Sequence, residues 1–205
     1  MACSVSVKLI PLIFLPLFFR KLQWKKSLLF YLLVFTITVC SFLPFVSGSF
    51  IYNYYETVGL WFQRFEFNAS LYYIARAIGY TFRGYNEIAI IGKFIPVLVI
   101  LFVAFIALFR KNKSITDIIY SMLFVLSFYY FTATTVHPWY IASLLILSVF
   151  TTYKFPLVWS FVGILSYLAY ANVNNTENLW VIGLEYTIIY SALLWDIFIN
   201  KKTMI

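Results

Sequence analysis

Long apolar runs, cut at intervals by short polar stretches, set the pattern of this chain. A membrane-crossing helix needs about 20 predominantly apolar residues. The runs predict about seven spans, near 4–19, 27–46, 88–109, 116–135, 138–153, 156–172 and 180–199. The first and fifth are short, which points to tilted, broken or re-entrant segments. Pro11 and Pro16 lie within the first, and Pro138 opens the fifth. Proline is well tolerated in the first turn of a helix, where its missing N–H has no partner anyway, so Pro138 reads as a helix start. The expected fold class is therefore all-α: a polytopic transmembrane helix bundle, with residues 1–205 forming a single membrane domain.

The polar stretches alternate in character. Arg20–Lys26 and Arg110–Lys113 are short and basic, Lys154 lies in the next turn of that set, and Lys201 and Lys202 close the chain. Together they hold 10 of the 15 basic residues. The other set comprises 47–87, the His137 turn and 173–179, and with its flanks it holds five of the seven acids. Basic loops mark the cytoplasmic side, so the C-terminus is expected in the cytoplasm and the long loop and His137 outside. Composition agrees. The chain is 63% hydrophobic and 11% charged, against about a quarter charged in a typical soluble domain. Its 22% aromatic content suits helices whose ends lie at headgroup level. The net charge of +8 follows from the basic loops and is not a nucleic-acid footprint. Cys3 and Cys40 make neither a disulfide framework nor a zinc site, a single histidine excludes a His-rich metal site, and no cofactor is implied. The opening residues lack a charged start and a cleavage site, so they read as a span rather than a signal peptide. An outside N-terminus without a signal is easier to explain if this is the C-terminal part, a fragment, of a longer chain.

Two short motifs have structural readings. Ser114-Ile-Thr-Asp117 resembles a capping box at the start of the fourth span. Asp196 lies near Lys201 and Lys202 and reads as structural too.

The loop 47–87 is far longer than a connector requires. Within it, Phe67, Leu71, Ile74, Ala75 and Ile78 fall at helical spacing, with Tyr72, Arg76, Gly79 and Arg83 opposite. An interfacial amphipathic helix is expected over about 68–80, with Asn68 as its N-cap. Either its arginines snorkel to headgroups, or its polar face lines a cavity in which Arg64, Arg76 or Arg83 grips an anion such as a lipid phosphate. The planar guanidinium favours phosphate. Glu56, Glu66 and Glu87 are carboxylates in the same loop, each a solvated acid, an arginine partner or a base. Glu185, in the last span, is an acid in apolar surroundings, a setting that is often functional. Lys8 and Lys93 sit near outer helix ends, where snorkelling accounts for them. No DxD pattern is present for a metal–nucleotide-sugar site.

The stretch "TTVHPWYIA" holds the single histidine. Either Pro138 starts a helix, Trp139 and Tyr140 anchor it, and His137 faces water. Or His137 shares a polar pocket with Thr132, Thr135 and Tyr140 and bonds a phosphate or sugar hydroxyl.

Three stretches resemble one family. "VKLIPLIFLPLFFRKLQWKK", "FNASLYYIAR" and "HPWY" are similar to segments of bacterial polytopic glycosyltransferases of the GT-C fold, the polyprenol-phosphate-mannose-dependent mannosyltransferases and their relatives. The resemblance implies transfer of a sugar, mannose in those relatives, from a polyprenyl-phosphate donor to a lipid or glycan acceptor, at the outer face of a bacterial cytoplasmic (inner) membrane. It places Asn68, Arg76 and His137 around the donor phosphate and sugar. The acidic general base of such enzymes lies in a first external loop that has no counterpart here, and Glu56 and Glu66 are weak substitutes. The alternatives are a transporter or flippase for a lipid-linked or anionic substrate, and a non-catalytic membrane subunit. Gathering of the polar groups at one end and the lack of an internal repeat count against a transporter.

Overall fold

A computed structural model describes residues 1–198, with the backbone only at 61–63. The Asn200–Lys202 stretch, the last residue of the seventh predicted span and the C-terminus lie outside the described residues. Within them the chain is an all-α bundle, and its sole β feature is an isolated parallel bridge between Phe67 and Thr135. The α-helices are α1 (Ala2–Val7), α2 (Phe19–Phe42), α3 (Gly48–Gln63), α4 (Leu71–Arg83), α5 (Ile88–Phe109), α6 (Ile115–Thr132), α7 (Ile141–Ser148), α8 (Phe155–Val162) and α9 (Leu179–Phe198). Four stretches are long and apolar enough to cross a membrane: Ile10–Phe45, Ile88–Phe109, Ile115–Thr132 and Leu179–Phe198. They are compatible with an integral membrane protein.

The first predicted span is not one helix. α1 stops at Lys8, whose backbone is extended, and a 3-10 helix then runs Ile10–Phe18. Pro11 and Pro16 remove two donors from that segment, which withholds the regular α-helical ladder. The chain then folds back. Gln23 at φ 62° and ψ 171° breaks the helical path inside the basic stretch, and Phe18 lies 5.5 Å from Phe30. α1 packs against α2, with Ser6 Oγ 2.8 Å from Ser41 Oγ.

The fifth predicted span is short in fact. A 3-10 turn (Pro138–Tyr140) and α7 together rise about 18 Å, against the ~30 Å thickness of a hydrocarbon core. The sixth reaches about 30 Å with few residues, because α8 continues as a 3-10 helix over Gly163–Ala171, which rises more per residue.

The core has a small cluster in which Ala2 and Val5 of α1 meet Val34 of α2, and two large clusters that share α6. One packs α6, α7, α8 and α9 around Trp159, which is fully buried and stacks on Phe131 at 4.6 Å. The other joins the first 3-10 helix to α4, α5 and α6. There α5 contributes a seam of Gly92, Ile95, Val99, Val103 and Ala107 at intervals of three or four, one face of a helix. α2 buries only Ser27 and Val34. Its exposed Leu28, Leu29, Leu32, Leu33 and Phe35 form an apolar surface of the kind that soluble monomers avoid.

Each end of the bundle is tied together. At one end Arg20 Nη2 donates to Leu108 O, Tyr120 Oη lies 3.2 Å from Thr152 Oγ1, and Asp196 Oδ2 accepts from Lys154 N and Phe155 N at 2.6 and 2.7 Å. Asp196 therefore holds the start of α8. The Ser114–Asp117 capping box is formed in both directions at 3.0 Å. The opposite end gathers Lys8, the residues around 64–70, the His137 turn and the 172–178 loop.

Loop 47–87 contains two helices, not one. α3 was not evident in the sequence, where its aromatics show no clean period and Gly48 and Gly59 lower helix propensity. It is capped by Ser47, whose hydroxyl accepts from Phe50 N at 3.1 Å, and it packs against α5. α4 starts three residues later than the expected helix. Asn68 is not its N-cap: it takes the left-handed conformation, φ 46°, and Ser70 precedes the first turn. Gly84 at φ 75° ends it.

Candidate functional site

α4 turns its polar face inward. Tyr72 is buried and Tyr73 and Arg76 are half-buried, while Leu71, Ile74, Ile78 and Phe82 are exposed. Of the two arrangements open to this helix, its contacts match the one in which the polar face meets a cavity. That cavity, about 420 Å³, is lined by Phe65, Glu66, Tyr73, Arg76, Tyr170 and Glu177, among others.

The strand-like residues before α4 anchor the site. Phe67 N donates to Thr134 O at 3.0 Å, and Phe67 O accepts from Val136 N at 2.8 Å. The next residue, Asn68, is 1% exposed and bonds through three groups. Its N–H donates to Glu177 Oε1 at 2.6 Å, its Nδ2 donates to Glu185 Oε1 at 2.9 Å, and its carbonyl accepts from Tyr186 Oη at 2.7 Å. The left-handed backbone, which asparagine tolerates better than most residues, lets main chain and side chain serve two different acids. Glu185 is fully buried, and its Oε2, like Asn68 Oδ1, has no hydrogen-bond partner among the described residues.

The two carboxylates that line the cavity differ in how fully they are engaged. Glu66 takes the Arg76 guanidinium on one oxygen. On the other it takes the Tyr72 hydroxyl at 2.5 Å and Asn86 Nδ2 at 3.1 Å. It is a saturated strut that fixes Arg76, whose guanidinium carbon also lies 4.3 Å over the Tyr73 ring. Glu177 takes the Tyr73 hydroxyl and the Asn68 N–H. Burial pushes its carboxyl above the ordinary range, and those two hydrogen bonds only partly offset this. Glu177 is thus a carboxylate in a half-enclosed cavity beside a guanidinium. The sequence places it in the 173–179 loop, but nothing local separates it from a solvated acid. Its partners lie 104 and 109 residues away.

The other sequence candidates separate. His137 neither faces water nor lines the cavity. It is 6% exposed, stacked between Trp139 at 4.2 Å and Phe67 at 4.9 Å, with Tyr140 edge-on at 5.4 Å. Burial, and then Lys8, lower its pKa and favour the neutral ring. The two threonine hydroxyls expected beside it are used elsewhere. Thr132 bonds back to Phe128 O at 3.0 Å, and Thr135 donates to Phe65 O at 3.1 Å. Tyr140 carries Lys8 Nζ 4.3 Å over its ring. Arg83, at the exposed end of α4, pairs with Glu87 at 3.5 Å. Glu56 and Arg64 line a separate groove with Lys93. So Arg76 and Glu66 come together in the cavity, Asn68 is tied to it through Glu177, and His137, Tyr140, Arg64, Arg83 and Glu56 do not join them. Cys3 and Cys40 are free and exposed.

No family model matches this chain, and neither the curated proteins nor the solved structures contain a match to it.

Proposed function

We propose that the chain is a membrane-embedded glycosyltransferase, or part of one, that moves a hexose from a polyprenyl-phosphate donor to a lipid or glycan hydroxyl. The observation that carries this reading is the convergence of Arg76, its strut Glu66 and the less saturated Glu177 on one cavity, beside a helix whose other face exposes Leu71, Ile74 and Ile78. The resemblance of "FNASLYYIAR" to the polyprenol-phosphate-dependent enzymes supports it. With basic loops on the cytoplasmic side, the cavity opens to the outer face of a bacterial inner membrane.

In this scheme Arg76 holds the donor phosphate, and its plane, set by Glu66 and Tyr73, presents paired donors to phosphate oxygens. The Glu177 carboxylate takes the proton of the acceptor hydroxyl as that oxygen bonds to the anomeric carbon. The bond from the anomeric carbon to the phosphate oxygen breaks, and its electron pair leaves with the polyprenyl phosphate, whose charge Arg76 stabilises. The general base absent from the N-terminal part of the sequence is thereby supplied by the 172–178 loop.

The test is sugar transfer from a radiolabelled polyprenyl-phosphate hexose in membranes carrying the full chain. Glu177→Gln is expected to lower the rate by roughly 10²-fold or more. Arg76→Ala is expected to lower it by a similar factor, with Arg76→Lys intermediate because it keeps charge but loses the fork. Transfer by wild type should fall as pH drops through the raised Glu177 pKa, because only the ionised form accepts a proton. Undiminished transfer by Glu177→Gln ends the assignment of the base, and no transfer by wild type ends the reading.

A further inference from the structure

A second groove lies between α3 and α5, at the same end of the bundle as the cavity but sharing no lining residue with it. Its volume is about 490 Å³, and its walls include Tyr55, Glu56, Gly59, Arg64, Lys93 and Pro96. Among the described residues the ion pairs are Arg76–Glu66 and Arg83–Glu87. Arg64 and Lys93 therefore face this groove without acidic partners, and Glu56 engages neither of them. Two cations and one acid give the walls a net positive charge. In the first cavity, by contrast, the guanidinium is already held by Glu66.

The surroundings point to a ligand with a lipid tail. Next to Lys93, Phe94 and Val97 are 62% and 51% exposed, and on α3 Ile51, Tyr52 and Tyr55 are 60%, 64% and 75% exposed. Apolar side chains mixed with tyrosine are what the headgroup boundary selects. The floor is small: Gly92, which lines the groove, is buried, and a Cβ built on Gly59 meets nothing within 4 Å. Lys93 also lies in the second turn of α5, close to the positive end of the helix.

We propose that this groove binds the phosphate of a membrane lipid headgroup. Arg64 and Lys93 take the phosphate oxygens, Glu56 accepts from a headgroup hydroxyl or ammonium, and the acyl chains lie along the exposed face of α5. The proposal does not depend on sugar transfer.

The experiment uses the full chain in maltoside micelles, which carry no phosphate. Thermal unfolding is followed while a short-chain phosphatidylglycerol or inorganic phosphate is added. The lipid is expected to raise Tm saturably, and inorganic phosphate to do so little. Arg64→Gln/Lys93→Gln should shift half-saturation by at least tenfold, at roughly fivefold per cation near a lipid surface. Gly59→Leu keeps both charges and improves helix propensity, yet fills the floor, and it should weaken the response as well. Glu177→Gln should leave the titration unchanged, so failure here and failure of the transferase reading are distinguishable. The site is overturned if the lipid gives no rise, or if both groove variants respond as wild type does. Inorganic phosphate matching the lipid, with the same loss in both variants, overturns the lipid assignment and leaves a soluble phosphate as the ligand.

Discussion

At the scale of single residues, Asn68 carries more of the site than any charge does. Its main-chain N–H fixes Glu177, its side-chain amide satisfies one oxygen of the buried Glu185, and its carbonyl receives Tyr186. Removing the amide leaves a buried carboxylate oxygen without its donor, which costs about 1–3 kcal/mol and more if the group is charged. Asn68→Ala should therefore lower stability by at least that amount in chemical unfolding in micelles. Glu185→Gln should cost much less, because its amide oxygen still accepts from Asn68 Nδ2. If Glu185→Gln destabilises as much as Asn68→Ala, the negative charge itself is held in the fold, and the hydrogen bond is not the main term. His137 teaches a related point. A lone histidine in an apolar run invites a chemical role, yet here its ring is the middle layer between Phe67 and Trp139. Nothing within "TTVHPWYIA" places Phe67, 70 residues away, against the other face of that ring.

At the scale of elements, the amphipathic helix was legible and its orientation was not. The alternation of Tyr72, Arg76 and Gly79 against Leu71, Ile74 and Ile78 gives two faces, but a polar face serves water, headgroups or a protein cavity equally well. The partners that draw it inward, Glu66, Asn86 and Glu177, lie outside the helix. α8 shows the same limit. In sequence Asp196 stands out only as an acid near Lys201 and Lys202, which lie outside the described residues. The structure uses it as an acceptor for the first N–H groups of a helix 41 residues away. Asp196→Ala leaves those two donors unmatched, so a loss of about 1–3 kcal/mol is expected. Hydrogen exchange should be faster at the Lys154 and Phe155 amides, and unchanged protection there would show that the cap is dispensable. The Ser114–Asp117 box, by contrast, is local in both partners, and it was readable from four consecutive residues.

At the scale of the whole molecule, the two ends of the bundle differ in chemistry, and the proposed orientation follows from that difference. With Cys3 and Cys40 replaced by serine, single cysteines at Gly84 and Asn175 should react with a membrane-impermeant thiol reagent from one side. A cysteine at Lys113 should react only from the other side or after permeabilisation. Labelling of all three from the same side would remove the assignment of the cavity to the outer face. Apolar runs, the alternation of basic loops and the 3.6-residue period of α4 follow from composition and short-range order. The sequence by itself therefore determined an all-helical chain, stretches long and apolar enough to cross a membrane, and most helix positions, because apolar runs and helix geometry act over one or two turns. Tertiary structure alone decided that the first segment doubles back at Gln23, that the fifth is too short to cross unaided, and that α3 forms. It also decided that Arg76, Glu66 and Glu177 share a cavity while His137, Arg64 and Arg83 stand apart. Those outcomes rest on contacts between residues tens to more than a hundred positions apart, and the packing of whole helices sets those distances.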